Sequence, residues 1–184
     1  MRSTSLQNDD MTEVCLSSKT VYEGKIFSIK SDKVSLPSGK ESTRDYMVHP
    51  GGAAILPVLE NGDIILVKQY RHALGRCVLE IPAGKRDKGE RHFDIARREL
   101  MEETGKDSAR MEYLGPIAPS VGCSDEIIHL YVAKELFDSP LMEDEDENLG
   151  LITLSPAEIK QKIKDGEIVD AKTVCAFLRY LSDI

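Results

Sequence analysis

Apolar and polar positions alternate in short runs along the first half of the chain. Lys25 to Leu36 (KIFSIKSDKVSL) and Ser42 to Val48 (STRDYMV) flank Pro37-Ser38-Gly39. Alternation on either side of a Pro/Gly turn predicts antiparallel strands between Thr20 and Val48. Ala53 to Leu59 (AAILPVL) and Ile64 to Gln69 (IILVKQ) are joined by Glu60-Asn61-Gly62-Asp63, and Asn-Gly suits the tight turn of a hairpin. Val78 to Ile81 reads as a further short strand, stopped by Pro82-Ala83-Gly84. The period then changes. Between Arg91 and Thr104, Phe93, Ala96 and Leu100 recur at helical spacing and Gly105 follows, which predicts an amphipathic helix with those three side chains on its core face.

Strand patterning returns at Met111 to Ile117 and Ile127 to Lys134, around a loop at Ala118 to Glu126. A strongly acidic loop, Met142 to Asn148, precedes another strand at Gly150 to Leu154. Ser155-Pro156-Ala157-Glu158 combines a capping box with Pro at the first helical position, so a helix is expected to run to about Lys164. Asp170 opens a last helix through Leu181. Many strands, one central helix and two terminal helices predict an α+β domain, layered α/β/α around a mixed sheet. Residues 1–13 (MRSTSLQNDDMTE) lack apolar patterning and are expected to be disordered. Residues 14–48 form an N-terminal strand region, and 49–184 the main domain.

Length and composition narrow the function classes. A chain of 184 residues with 41% hydrophobic and 30% charged residues is globular and large enough for one core. A formal charge of −8 and a pI near 5.1 argue against a general binder of nucleic acid or membrane surfaces, whose polyanionic partners would be repelled. A phosphate ligand then needs local Arg and Lys, or a divalent cation that reverses the local sign. No run approaches the ~20 apolar residues of a membrane span. Residues 1–13 do not resemble a secretory signal. Cys15, Cys77, Cys123 and Cys175 form no C-x-x-C pair, so free thiols and a cytoplasmic location are expected. His49, His72, His92 and His129 are dispersed, which argues against a zinc or nucleophilic histidine site.

The predicted central helix carries the chemistry. Glu103 lies four residues after Glu99, and Glu102 three after it, so the three carboxylates converge on one edge. Like charges so placed repel, and either solvent screens them or a cation neutralises them. Taken alone, the cluster also reads as a solvated acidic face. The glycine loop before the helix adds exposed backbone oxygens, and Arg98 stands within reach of neighbouring carboxylates. Such a set suits a hard, oxygen-liganded cation: Mg2+, with Mn2+ as a substitute.

The segment resembles the Nudix box, G-x5-E-x7-R-E-U-x-E-E-x-G-U with U a bulky aliphatic residue. Gly84, Glu90, Arg98, Glu99, Leu100, Glu102, Glu103 and Gly105 match in register, and only Lys106 departs, at the final aliphatic position. The resemblance extends to the ADP-ribose and ADP-sugar pyrophosphatase branch through His49-Pro50-Gly51, Lys68-Gln69-Tyr70-Arg71, Leu79-Glu80-Ile81-Pro82-Ala83-Gly84, Ser124-Asp125-Glu126 and Asp144-Glu145-Asp146-Glu147. It implies a Nudix fold and Mg2+-dependent hydrolysis of a nucleoside diphosphate sugar, with ADP-ribose giving AMP and ribose 5-phosphate. It further implies metal ligation by Glu99, Glu103, the Ala83 carbonyl and Glu147, with Glu102 beside them. Glu145 becomes the general base, a role Glu143 or Asp144 could take instead if the acidic run is shifted. Members of the branch are commonly homodimers that exchange N-terminal strands.

The remaining roles are read from the chemistry of the residues. Arg44 and Arg71 would grip phosphate or the terminal ribose, the alternative for each being a surface ion pair. Glu80 would join the metal and substrate neighbourhood or pair with Arg98 or another base. Glu126 would touch substrate or close its loop. Gly84, Glu90 and Arg98 support the site: Gly84 by a tight entry, Glu90 by bracing the loop or binding a further metal indirectly, and Arg98 by orienting the helix carboxylates. Val121 stands where the branch often has Pro within Ser-Pro-Gly, which keeps GDP-mannose, or a broad range of diphosphate sugars, in view. A catalytically inactive Nudix-fold nucleotide-binding module is the rival of another class.

Overall fold

The computed structural model describes residues 11–139 and 149–182. The chain forms two compact units, one of residues up to His49 with Ser120–Glu126, the other of Pro50–Pro119 with Ile127 onward.

The first unit is an antiparallel meander of β1 (Val14–Glu23), β2 (Ser28–Ser35) and β3 (Glu41–Val48). The β2–β3 turn closes where the Pro-Ser-Gly signal lies, with Gly39 at φ +79° donating its N–H to the Leu36 carbonyl. β1 is exposed along its whole length. It begins at Val14, inside the 14–48 strand region and upstream of the alternation that starts at Thr20; a strand exposed on both faces carries no core-facing alternation to mark its start. The Ser120–Glu126 loop is tied to β3 and the residue after it: Met47 N–H donates to the Cys123 carbonyl and His49 N–H to Asp125 Oδ1, each at 2.8 Å.

The second unit contains β4 (Gly52–Pro57), β5 (Ile64–Arg71), a 3-10 turn at His72–Leu74, β6 (Arg76–Glu80) and β7 (Ala83–Lys85). Then come α1 (His92–Thr104), β8 (Lys106–Ile117), β9 (Ile128–Asp138), β10 (Gly150–Leu154), α2 (Pro156–Lys164) and α3 (Ala171–Ser182). One sheet has the order β7-β4-β9-β8, parallel between β4 and β9 and antiparallel elsewhere; the other is antiparallel, β10-β5-β6. β4 is buried throughout, as the uninterrupted apolar run AAILPVL requires of a strand covered on both faces. Its alternate residues serve two cores. Ala53 and Ile55 pack with Ile95, Ala96 and Leu100 of α1, whereas Ala54 and Leu56 pack with Ile159 of α2 and Phe177 of α3. Helices on both faces of a mixed sheet give the expected α+β layering.

Two expectations change. α1 buries Ile95, Ala96, Glu99, Leu100 and Thr104, while Phe93 is 39% exposed and meets Tyr131 edge to face at 5.9 Å. Phe93 sits in the first turn at the margin of the buried arc, and Ile95 takes the core place assigned to it. β8 starts directly after Gly105 rather than at Met111, and Lys106 pairs with Asp138 at the far end of β9. A charged residue at the last box position is thus accommodated by an ion pair on the strand edge. α2 carries the full capping box: Ser155 accepts from the Glu158 N–H and the Ser155 N–H donates to Glu158 Oε2 at 2.8 Å. All four cysteines are free thiols.

Candidate active site

Two backbone segments come unusually close to each other beneath α1. A Cβ on Gly52 would lie 2.4 Å from the Gly84 carbonyl oxygen, and a Cβ on Gly84 would lie 1.6 Å from Glu99 Oε1. Only glycine at both places lets β4, β7 and the glutamate helix approach this closely. Glu99 is consequently 7% exposed. A carboxylate so buried needs compensation, and Arg98 supplies part of it. Arg98 Nη1 donates to Glu99 Oε1 at 2.6 Å and to Glu102 Oε2 at 2.8 Å, while its Nε donates to Glu90 Oε1 at 3.1 Å. Burial opposes the charge of Arg98, but its three carboxylate partners more than offset this and raise its pKa. Glu90 in turn accepts from the Asp87 N–H, and its carbonyl accepts from Arg86 Nε at 2.9 Å. The loop entering α1 is therefore fastened to the helix through Glu90 and Arg98.

The other wall comes from β5, β6 and α3. Arg71 grips Glu80 side-on, Nε to Oε1 at 2.6 Å and Nη2 to Oε2 at 2.8 Å. Hydrogen bonding to Glu80 leads in raising the Arg71 pKa, and the negative charge of Glu103 adds to it, so the guanidinium lies within electrostatic reach of Glu103. Glu80 is 3% exposed; it pairs with Lys172 as well, and Lys172 also reaches Asp170 Oδ1 at 2.9 Å. Burial pushes the Glu80 carboxyl upward, but its two basic partners outweigh burial and hold it below the ordinary value.

The donors that the described residues offer a cation are all oxygens: the carboxylates of Glu99, Glu102 and Glu103, and the carbonyl of Ala83 beside Gly84. This chemistry fits Mg2+ or Mn2+, and one carboxylate oxygen of Glu103 is buried. With Arg98 drawing Glu99 and Glu102 toward itself, no three acidic, His or Cys side chains converge as a ready-made cage among the described residues. Glu145 and Glu147, expected as base and ligand, lie outside the described residues.

The two remaining expected contacts belong to the first unit. Arg44 pairs with Glu13 and donates to Ser42 Oγ and the Thr43 carbonyl. Glu126 lies 3.3 Å from His49 Nδ1, a loop contact within that unit. Of the bases Glu80 was expected to pair with, Arg98 or another, it partners Arg71 and Lys172.

The histidines are less scattered than their spacing suggests. His92 and His129 stack at 4.0 Å with ring planes 12° apart, His92 bonds the Tyr131 hydroxyl, and Tyr113 Oη lies 2.7 Å from His129 Nδ1. The signal was available in the strand period: His129 and Tyr131 alternate on β9, and Tyr113 is paired with Tyr131 across β8. Lys172 carried no such signal.

Comparison with known proteins bears on these geometries. The NUDIX domain model matches residues 48–177, and the nucleoside diphosphate sugar hydrolase N-terminal domain matches residues 13–47. The chain is 42% identical over 171 residues to the methanol dehydrogenase activator of Bacillus methanolicus, covering 92% of each. It is 38% identical over 175 residues to the ADP-ribose pyrophosphatase of Bacillus subtilis, covering 93% of each. A solved ADP compounds hydrolase superposes with a TM-score of 0.83 at 22% identity, covering 95% of both chains, and shares the fold.

Proposed function

The chain belongs to the Nudix hydrolase family, and on that premise we propose that it cleaves the pyrophosphate of a nucleoside diphosphate sugar with Mg2+, ADP-ribose being the leading substrate. AMP and ribose 5-phosphate would be the products. The observation that carries this reading is the seating of Glu99 against Gly84, with Arg98 tying Glu99 and Glu102 together.

In this reading the Ala83 carbonyl, Glu99, Glu102, Glu103 and Glu147 hold Mg2+, or Mn2+ in its place. The bound ion would neutralise phosphate charge and lower the pKa of an attacking water. Arg71 presents its fork to phosphate oxygens, and Arg44 and Glu126 contact phosphate or the terminal ribose. Glu80 serves the substrate through Arg71. Glu145 accepts the proton of the attacking water, and Glu90, Arg98 and Gly84 keep the helix carboxylates in place. The protein acts as a cytoplasmic homodimer on a small molecule, without nucleic acid or membrane. Among the described residues no helix is long and apolar enough to cross a membrane.

Val121, at the position where the branch often carries Pro, is 83% exposed in its loop and favours a second, broader specificity that includes GDP-mannose. The test is phosphate-coupled turnover with Mg2+ on ADP-ribose, ADP-glucose, GDP-mannose, UDP-glucose, a dinucleoside tetraphosphate and a nucleoside triphosphate. Diphosphate sugars are expected to be preferred. Glu103→Gln should lose more than the roughly 10- to 100-fold that removal of an outer-shell partner of a metal costs. Silence on the whole panel would favour the inactive binding module, and unchanged turnover in Glu103→Gln would remove the helix from the chemistry.

A further inference from the structure

We propose that Lys172, on the first turn of α3, is a positioning residue that fixes the orientation of Arg71 through Glu80. The inference rests on the reading of Arg71 as a substrate contact.

Lys172 is 9% exposed, a rare state for a lysine unless it is paired. Its ammonium joins two carboxylates from different elements: Glu80 at the end of β6 and Asp170 at the entrance of α3. Asp170 is itself fixed, accepting from the Thr173 N–H at 3.0 Å and the Thr173 hydroxyl at 2.5 Å. Thr173 Oγ1 then accepts from the Ile81 N–H at 2.9 Å, so α3 and the strand that leads to Ala83 and Gly84 are joined by a second link. Two anions, Glu80 and Asp170, face two cations, Arg71 and Lys172, so the set is neutral and carries a net negative charge when Lys172 alone is removed.

The geometry gives Lys172 a directional effect. It bonds the same oxygen, Oε2 of Glu80, that accepts from Arg71 Nη2. The plane of the Glu80 carboxylate is held from both sides, and the side-on grip through Nε and Nη2 leaves the Nη1 end of the guanidinium turned away from Glu80. An arginine side chain 42% exposed would ordinarily sample many rotamers; here its donors are set before a substrate arrives. Without Lys172, Arg71 alone faces the charge of Glu80 and Asp170, and its fork is drawn inward.

The test is a double-mutant cycle in steady-state kinetics, on the best substrate of the panel above at saturating Mg2+, with Lys172→Met, Arg71→Ala and the pair. Lys172→Met should raise KM roughly tenfold with kcat within about twofold of the parent. Arg71→Ala should raise KM at least as much, and the pair should match Arg71→Ala alone, because Lys172 has nothing left to position. If Lys172→Met multiplies KM by the same factor in the Arg71→Ala background, Lys172 acts independently of Arg71 and the inference is overturned. An unchanged KM in Arg71→Ala overturns the reading of Arg71, and the inference with it. Should Lys172→Met fail to fold, Asp170→Asn combined with Lys172→Met removes the ammonium and its second carboxylate together and leaves Glu80 and Arg71 as a neutral pair; the same KM rise, and the same silence in the Arg71→Ala background, are expected, and an unchanged KM overturns the inference.

Discussion

Two imidazoles stacked 4.0 Å apart repel each other when both are protonated. Burial, the charge of His92 and the charge of Arg86, in that order, lower the pKa of His129 from its ordinary 6.5. The unfolded chain then binds more protons than the folded one as pH drops through 6.5, so stability falls from that point and levels off below the folded pKa. Glu80 has the same sense for a different reason: its carboxyl is lowered from 4.5, so its contribution is complete above 4.5 and disappears as pH falls through the lower folded value. Thermal unfolding followed from pH 7 to 3 should therefore show two descending limbs, and His129→Gln should flatten only the upper one. A single limb below 4.5 in the parent protein would refute the role given to His129. Gly84 makes a sharper case. The Cβ of Gly84→Ala falls within a covalent-bond distance of Glu99 Oε1, so Glu99 or β7 must shift. A loss of about 1–3 kcal/mol, as for other overpacked sites, should appear in urea unfolding together with weakened Mn2+ binding. Normal Mn2+ affinity in that variant would mean that Glu99 tolerates displacement.

At the scale of elements, α1 tests which face the helix buries. Ile95 is fully buried and Phe93 is not, so Ile95→Ala should cost about 2–5 kcal/mol and Phe93→Ala clearly less, read from urea midpoints. Equal costs would restore the core position the spacing first assigned to Phe93. The mistake has a physical origin. A 3.6-residue period locates an apolar arc but not its edges, and here the arc includes an acid, Glu99, because glycine on the facing strand makes room for it. Other features were plain in the chain because they are local. Ser155 and Glu158 of the α2 capping box, and Gly105 closing α1 at φ +65°, act on their own neighbours. The register of the Gly84 to Gly105 motif is likewise fixed within one loop and one helix. Lys172 and Glu80 meet across 92 positions, and nothing in the residues around either of them announces the other. β1 falls inside the expected 14–48 strand region, but alternation did not mark its start because its apolar residues face no core among the described residues.

For the whole molecule, that exposure bears on assembly. Val14, Leu16, Val21 and Tyr22 of β1 are each at least half exposed, more apolar surface than a short edge strand normally leaves open. If the proposed homodimer is made through this strand, Leu16→Glu should shift sedimentation from the dimer toward the monomer, with the second unit still folded by circular dichroism. A monomeric parent protein would refute the assembly. The parallel pairing of β4 with β9 has a consequence of another kind. During synthesis β4 leaves the ribosome long before its central partner, since β5 to β8 and α1 must all be made between them. With chains growing at about 5–20 residues per second, β4 waits for seconds with only β7 paired to it, and the glutamate helix waits with them. The nascent chain therefore makes the glutamate helix with Gly52 and Gly84 already beneath it, but before Tyr131 and Ala133 of β9 complete the core on that face.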